Sequence, residues 1–299
     1  MTWEVAVAGT VHCDDITTPR GRMTSIGGSA LYFALAASRY APVRLNGIVG
    51  ADSEQEVREQ LAGFPVTTDG LEISRLPTVR WHAVHDFETW VTASERTEEG
   101  CDPAWRATLS AGSAGAEVLF LASMHPAFQR RILEQSNARL IAADSMLVYI
   151  DSLGDAVREI AERCDVLFLN QAELAGLTRH ESWVLGARAL CGHGRLRAVV
   201  VTRGPDGAAC VTANTVIERP AIAVPDVVDP TGGGDAVAGG FLGLCAQRER
   251  DDELAFVEAL ETGVRCAAAA ISTFGPAGLR SFERGVSVAR ADLHRLDDQ

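Results

Sequence analysis

The 299-residue chain carries 27 basic residues, all of them arginine, against 40 acidic ones, for a net charge of -13 at pH 7; 47% of it is hydrophobic and 22% charged. That composition describes a soluble globular chain with a sizeable core, and its negative balance argues against a nucleic-acid or membrane-surface partner, since either would need a basic face. The absence of lysine excludes a P-loop, a protein-kinase strand lysine and any Schiff-base or pyridoxal chemistry.

Seven cysteines are scattered without a C-x-x-C spacing, and seven histidines make no metal-binding pattern, so reduced core thiols and no structural metal are expected. The opening MTWEVAVAGTVHCDD lacks a basic then apolar leader, and no apolar run approaches ~18 residues. A cytoplasmic protein is the expectation.

In chain order, residues 5–9 predict a buried strand ending in glycine, followed by His12 and the adjacent acids Asp14 and Asp15, which suit substrate hydroxyls. Gly27 and Gly28 open a stretch of small apolar residues, 30–40, predicted as a helix packed closely on a sheet. Residues 43–49 read as a strand and 53–61 as an acidic helix capped by Ser53. Residues 78–92 alternate around a turn at 86–89, the pattern of an exposed hairpin. Its Trp81 and Trp90 either cover a ligand or pack on each other across the strands. Apolar residues on both faces of this hairpin predict a homodimer paired through it.

From residue 118 the chain alternates regularly. Strands are predicted at 118–122, 139–143, 166–169 and 198–202, and helices at 126–136, 153–163, 171–177 and 182–191. This rhythm implies a mostly parallel sheet with helices on both faces. A hairpin at 208–212 and 215–218 follows. No linker or composition break divides residues 1–299, so a single domain is expected. In such sheets ligands collect beyond the carboxyl ends of strands, where Asp14, Asn170, Glu173, Thr202, Gly204 and Asp235 all fall.

The stretch VPDVVDPTGGGDAVAGGFLG, 224–243, carries most of the chemistry. Its β-branched opening, 224–228, predicts a buried strand, and Pro230 ends it. Gly232, Gly233 and Gly234 then permit a nest of backbone N–H groups at the N-terminus of the next helix, a site that suits an anion. Asp235 directly follows, a carboxylate that makes sense beside a phosphate as the base for an attacking hydroxyl. A tight strand-to-helix turn with a solvated acid would also account for these residues.

Together these motifs resemble the ribokinase-like, or PfkB, family of carbohydrate and nucleoside kinases. The family's D-x-T-G-A-G-D signature stands here as Asp229 to Asp235, its glycine pair as Gly27-Gly28, its N-x-x-E as Asn170 to Glu173, and its T-x-G-x-x-G as Thr202 to Gly207. The resemblance implies a three-layer α/β fold with a small β lid built from segments near 11–26 and 78–97. It also implies an ATP- and Mg²⁺-dependent transfer of the γ-phosphate to a hydroxyl of a small acceptor. By the same resemblance Asp235 is the base and the 232–234 amides form the anion hole. Asp14, Gly27 and Gly28 hold the acceptor; Asn170, Thr202, Gly204, Gly207 and Phe274 serve the nucleotide. Glu173 holds Mg²⁺ through water, and Asp229 with Thr231 marks a potassium site.

Gly233 replaces the usual alanine. Tyr32 stands where many sugar kinases carry asparagine; one hydroxyl and a flat ring there disfavour a bare hexose and favour a nucleoside or substituted sugar. A free sugar or cyclitol acceptor, or a catalytically silent binding protein of the same fold, is the alternative. A dinucleotide-binding oxidoreductase lacks its G-x-G-x-x-G after a strand.

Overall fold

A computed structural model describes residues 2–87 and 91–283. The chain opens with β1 (Val5–Ala8), β2 (His12–Thr18) and β3 (Gly21–Gly27), then α1 (Ser29–Ala37), β4 (Val43–Gly50), α2 (Glu54–Leu61) and β5 (Val66–Ser74). The hairpin β6 (Arg80–Asp86) and β7 (Val91–Glu98) follows. Next come α3 (Ala111–Ala114), β8 (Val118–Leu121), α4 (Pro126–Leu133), β9 (Leu140–Asp144), α5 (Leu147–Glu162), β10 (Val166–Asn170), α6 (Gln171–Thr178), α7 (Trp183–Leu190) and β11 (Ala198–Thr202). The chain continues with β12 (Ala208–Thr212), β13 (Val216–Arg219), α8 (Gly233–Arg248), α9 (Glu253–Ala270) and α10 (Ala277–Ser281).

The main sheet has the order β13-β12-β11-β10-β9-β8-β1-β4-β5. It is parallel from β11 to β5, with β12 and β13 added antiparallel at one edge. Because both faces are covered, its strands are continuous apolar runs: Val5 and Val7 point into one core while Ala6 and Ala8 point into the other. In the first core, Phe33 stacks on Phe120 at 4.3 Å, and Phe168, Phe241 and Phe256 continue the aromatic series into α8 and α9. A second, four-stranded sheet, β3-β2-β6-β7, forms the lid.

Strand β1 lies between β4 and β8, so the chain moves outward from it in opposite directions. At such a switch point the loops after the strands part and leave a crevice. Thr10, Ser123, Asp144, Asn170 and Thr202, at or just after the ends of β1, β8, β9, β10 and β11, all border one cavity there.

Several local expectations change. Residues 224–228 form no strand; they make an extended connection, half-exposed, whose Val228 N–H bonds Ile271 C=O. Asp14 and Asp15 lie inside β2 and not in a loop after β1. Ser53 stands at the N-cap of α2 without a side-chain capping bond. Helix α5 begins at Leu147, six residues before the predicted start, with a non-helical break at Leu153. Trp81 faces Thr97 across the lid hairpin; the expected packing of Trp81 on Trp90 falls outside the described residues, because Trp90 does.

Candidate active site

The turn ahead of α8 starts from Asp229, 1% exposed, whose carboxylate accepts the Thr231 N–H at 2.9 Å and the Gly275 N–H at 3.4 Å. Gly232 takes φ +75°, and a Cβ there would lie 2.3 Å from the Tyr32 ring, so the turn needs glycine for both its conformation and its space. The Gly233 N–H donates to Pro230 C=O. Among the three glycines predicted to form the anion hole, Gly233 is therefore committed to holding the turn. The Gly234 N–H has no protein acceptor among the described residues, and Gly232, Gly234 and Asp235 border the cavity. An unpaired amide at the first turn of a 16-residue helix is a ready acceptor of negative charge.

Strand alternation separates the two acids of β2. Asp15 points away from the cavity, paired with Arg22 and His82, and the Arg22 hydrogen bond leads in lowering it to about 2. Asp14 points inward, 2% exposed, and accepts the Gly28 N–H at 3.3 Å. Burial, reinforced by Asp229 and Asp235, pushes Asp14 up to about 7. A Cβ on Gly27 would stand 2.0 Å from Asp14 Oδ2, so this glycine lets the carboxylate lie against β3.

Asn170 and Glu173 form a capping box on α6: Asn170 Oδ1 accepts the Glu173 N–H at 2.9 Å, and Glu173 Oε2 accepts the Asn170 N–H at 2.8 Å. The box accounts for the N-x-x-E spacing and holds both side chains at the cavity edge. Thr202 also borders the cavity, whereas Gly204 and Gly207 lie outside it in the turn to β12. Phe274 does not line it either; its ring packs at Gly21 in the β2–β3 turn.

Tyr32 lines the cavity but is 1% exposed, with its ring pressed on Gly232 and beside Gly27. It shapes the turn and offers little face to an acceptor. Trp81 of the lid and Met146, Val148 and Tyr149 ahead of and within α5 supply that apolar surface instead.

Three participants have no counterpart in the sequence motifs. Asp144, the last residue of β9, reaches the cavity with Oδ1 unpartnered, and burial with Asp235 and Glu173 nearby raises it well above the carboxylate range. The end-of-strand rule that marks Asn170 would also have marked Asp144. His12 bonds Asp102 from 90 residues away, and His85 Nε2 of the lid lies 2.9 Å from Thr231 Oγ1 from 146 away. No local signal reveals such pairs.

Asp235 stands between the two ends of the cavity, since its charge bears on Glu173 and Asp144 as well as on Asp14 and Tyr32. Burial raises Asp235 to about 7, and burial with Asp235 raises Glu173 to about 7. Asp235 thus acts on both Asp144 and Glu173. Among the described residues Asp144 Oδ1 has no partner, but no three acidic, histidine or cysteine side chains are grouped to hold a metal ion, so a divalent cation would take most of its ligands from nucleotide phosphates. The potassium site fits less well. The Asp229 oxygens already accept two amides and Thr231 bonds His85.

The raised carboxylates set a pH dependence. As the expected base Asp235 would have to be ionised to accept a proton, so kcat/KM is expected to rise about tenfold per pH unit below pH ~7 and to level above it. A pH–rate profile flat down to pH 5 would contradict this. The sign for stability is opposite. Between 3.8 and about 7 the folded protein holds a proton that the unfolded chain has released, so the Asp235 contribution falls as pH rises through that window.

Comparison with known proteins places the chain in a family. The family model for pfkB family carbohydrate kinases matches residues 14–281. A curated cytidine kinase from Thermococcus kodakarensis is 30% identical over 247 residues, covering 80% of this chain and 87% of that one. Among solved structures, adenosine kinase from Sinorhizobium meliloti superposes with a TM-score of 0.77 at 18% identity, over 92% of this chain and 96% of the other. Aminoimidazole riboside kinase from Salmonella enterica, solved with aminoimidazole riboside and an ATP analogue, gives 0.73 at 19%, over 93% and 99%. No helix among the described residues is long and apolar enough to cross a membrane. The chain belongs to the pfkB family of carbohydrate kinases and is a phosphotransferase of the nucleoside and sugar kinase type.

Proposed function

We propose that the protein is an ATP-dependent nucleoside kinase that phosphorylates a primary hydroxyl of the ribosyl group. One observation carries the reading: a single cavity of 530 Å³ joins Asp235 and the Gly234 amide to Asp14 on one side and to Asn170, Glu173 and Thr202 on the other. An acceptor hydroxyl placed between Asp235 and the γ-phosphate of ATP gives up its proton to the carboxylate as its oxygen bonds to phosphorus; the bond from that phosphorus to the β–γ bridging oxygen breaks, and ADP leaves. The Gly234 amide and the α8 N-terminus lie where the phosphoryl charge develops. Asp14 holds hydroxyls at the acceptor end. Asp144 and Glu173 border the nucleotide end of the cavity and would face an Mg²⁺ brought in by the phosphates, which would neutralise part of their charge.

The choice of a nucleoside over a free sugar rests on the apolar wall of Trp81, Met146, Val148 and Tyr149, which a bare sugar would leave wet and a base would cover. The cytidine kinase relative supports the same choice. A phosphotransfer screen with ATP and Mg²⁺ against nucleosides, pentoses, hexoses and cyclitols tests it. A nucleoside is expected to give the highest kcat/KM, and EDTA is expected to abolish turnover until Mg²⁺ is restored. Free ribose or fructose as the best acceptor, or full activity in EDTA, would reject the proposal.

A further inference from the structure

The acceptor end of the cavity holds a carboxylate with unfinished hydrogen bonding. Asp102, just after the lid hairpin, borders the cavity, and its Oδ2 meets His12 Nε2 at 3.2 Å. Its Oδ1 is buried and has no hydrogen-bond partner among the described residues. A carboxylate oxygen in that position is costly until a donor reaches it, and an ionised carboxylate has no hydrogen of its own to give. Whatever completes Asp102 must therefore be an N–H or O–H group.

His12 fixes where that donor would come from. It lies two positions before Asp14 on β2, so both side chains project from one face of the strand toward the cavity. Burial works against a charged imidazole, but the bond and charge of Asp102, with Asp14 beside it, hold His12 above its ordinary pKa. The His12 bond thus holds Asp102 Oδ2 from the same strand that carries Asp14. Tyr149 stands near Asp102, where burial and that carboxylate keep its phenol protonated, and Trp81 pairs in register with Asp14 on the neighbouring lid strand. Flat apolar surface and one unsatisfied acceptor therefore border the same cavity as Asp14.

Resting on the nucleoside reading above, we propose that Asp102, held in place by His12, selects the base by accepting a hydrogen bond from an exocyclic amino group. Cytidine and adenosine are then favoured over uridine and inosine, whose carbonyl oxygen at the corresponding position would face the carboxylate. A site built to receive a donor rejects an analogue that lacks it more strongly than an apolar pocket rejects a change in size.

The test compares kcat/KM for cytidine against uridine and for adenosine against inosine, with saturating ATP and Mg²⁺. Direct binding titrations of the same nucleosides accompany it. The wild-type protein is expected to favour the amino-bearing member of at least one pair by about 10-fold or more. Asp102→Asn keeps the size and can donate as well as accept, so it is expected to bring that ratio to within about threefold of unity. Asp102 is partly exposed, 31% for its side chain, which favours a folded variant, and the wild-type ratio is informative without it.

A wild-type ratio near one, or one favouring the keto bases, overturns the inference. So does an Asp102→Asn variant with lower rates and an unchanged ratio, which would show that Asp102 only positions His12. If nucleosides are turned over without preference, this inference alone fails. If no nucleoside is bound or turned over, the nucleoside reading fails and takes this one with it.

Discussion

Asp235→Asn is expected to lower turnover by at least about 10²-fold while nucleotide affinity stays within a few-fold. The amide keeps the size of the carboxylate and its place at the start of α8, so the turn and the Gly234 amide should survive. What it loses is the ability to take the acceptor's proton. Because Asp235 is held up near 7 by burial and acts on Asp144 and Glu173, the neutral amide also removes repulsion among these acids. The variant should therefore melt no lower than wild type at pH 8, and an effect on rate cannot be ascribed to unfolding. Turnover is read in a coupled assay, affinity by titration with nucleotide and Mg²⁺, and the fold by its thermal midpoint. Wild-type turnover in a folded variant would remove Asp235 from the role of base.

Gly232→Ala is expected to damage the protein through packing. The residue has φ +75°, and a methyl group would come within 2.3 Å of Tyr32 Cδ1, with the ring held by surroundings that leave it 1% exposed. The left-handed conformation costs a non-glycine residue about 1–2 kcal/mol, and forcing a methyl into a packed site about 1–3 kcal/mol more. A loss of about 2–5 kcal/mol is a large share of the stability of an ordinary domain. Urea unfolding measures it. Adding Tyr32→Leu should recover part of the packing loss and none of the backbone loss, so the double-mutant cycle should show coupling of about 1 kcal/mol or more. Additive effects would mean that Tyr32 does not press on the turn.

What the sequence reveals about this fold is what is local. The glycine turn and its helix are contiguous, the capping box spans four residues, and β8, β9, β10 and β11 are unbroken apolar runs between helices, so each carries its own signal. Residues 224–228 mislead for an identifiable reason. The β-branched residues suit a strand, but Pro225 removes a donor from the middle of the run, and the Val228 N–H bonds a loop carbonyl, Ile271 C=O.

Strand β5 is hidden by the opposite effect. Its Asp69-Gly70 pair resembles a turn, yet Gly70 lies within the strand because Asn46 on β4 approaches so closely that a Cβ would stand 2.0 Å from its Oδ1. Asp144, though at a strand end, belongs to no motif, and the His12–Asp102 pair exists only once the lid has folded over the sheet. The acids of the site are thus partly legible, while their partners are not.

The hydrogen bond between His85 and Thr231 ties a lid strand directly to the turn that carries Asp235. Any outward swing of the four-stranded sheet breaks that bond and removes a side-chain support from the residue preceding Gly232. Lid position and turn geometry therefore draw on a shared free energy. A substrate that reaches from Asp14 and Trp81 of the lid to Asp235 on α8 would stabilise the assembled arrangement, whereas water, which can occupy the place of the attacking hydroxyl, does not span the two. The same link that organises transfer to a proper acceptor leaves wasteful hydrolysis of the bound nucleotide without the closed enclosure it would need.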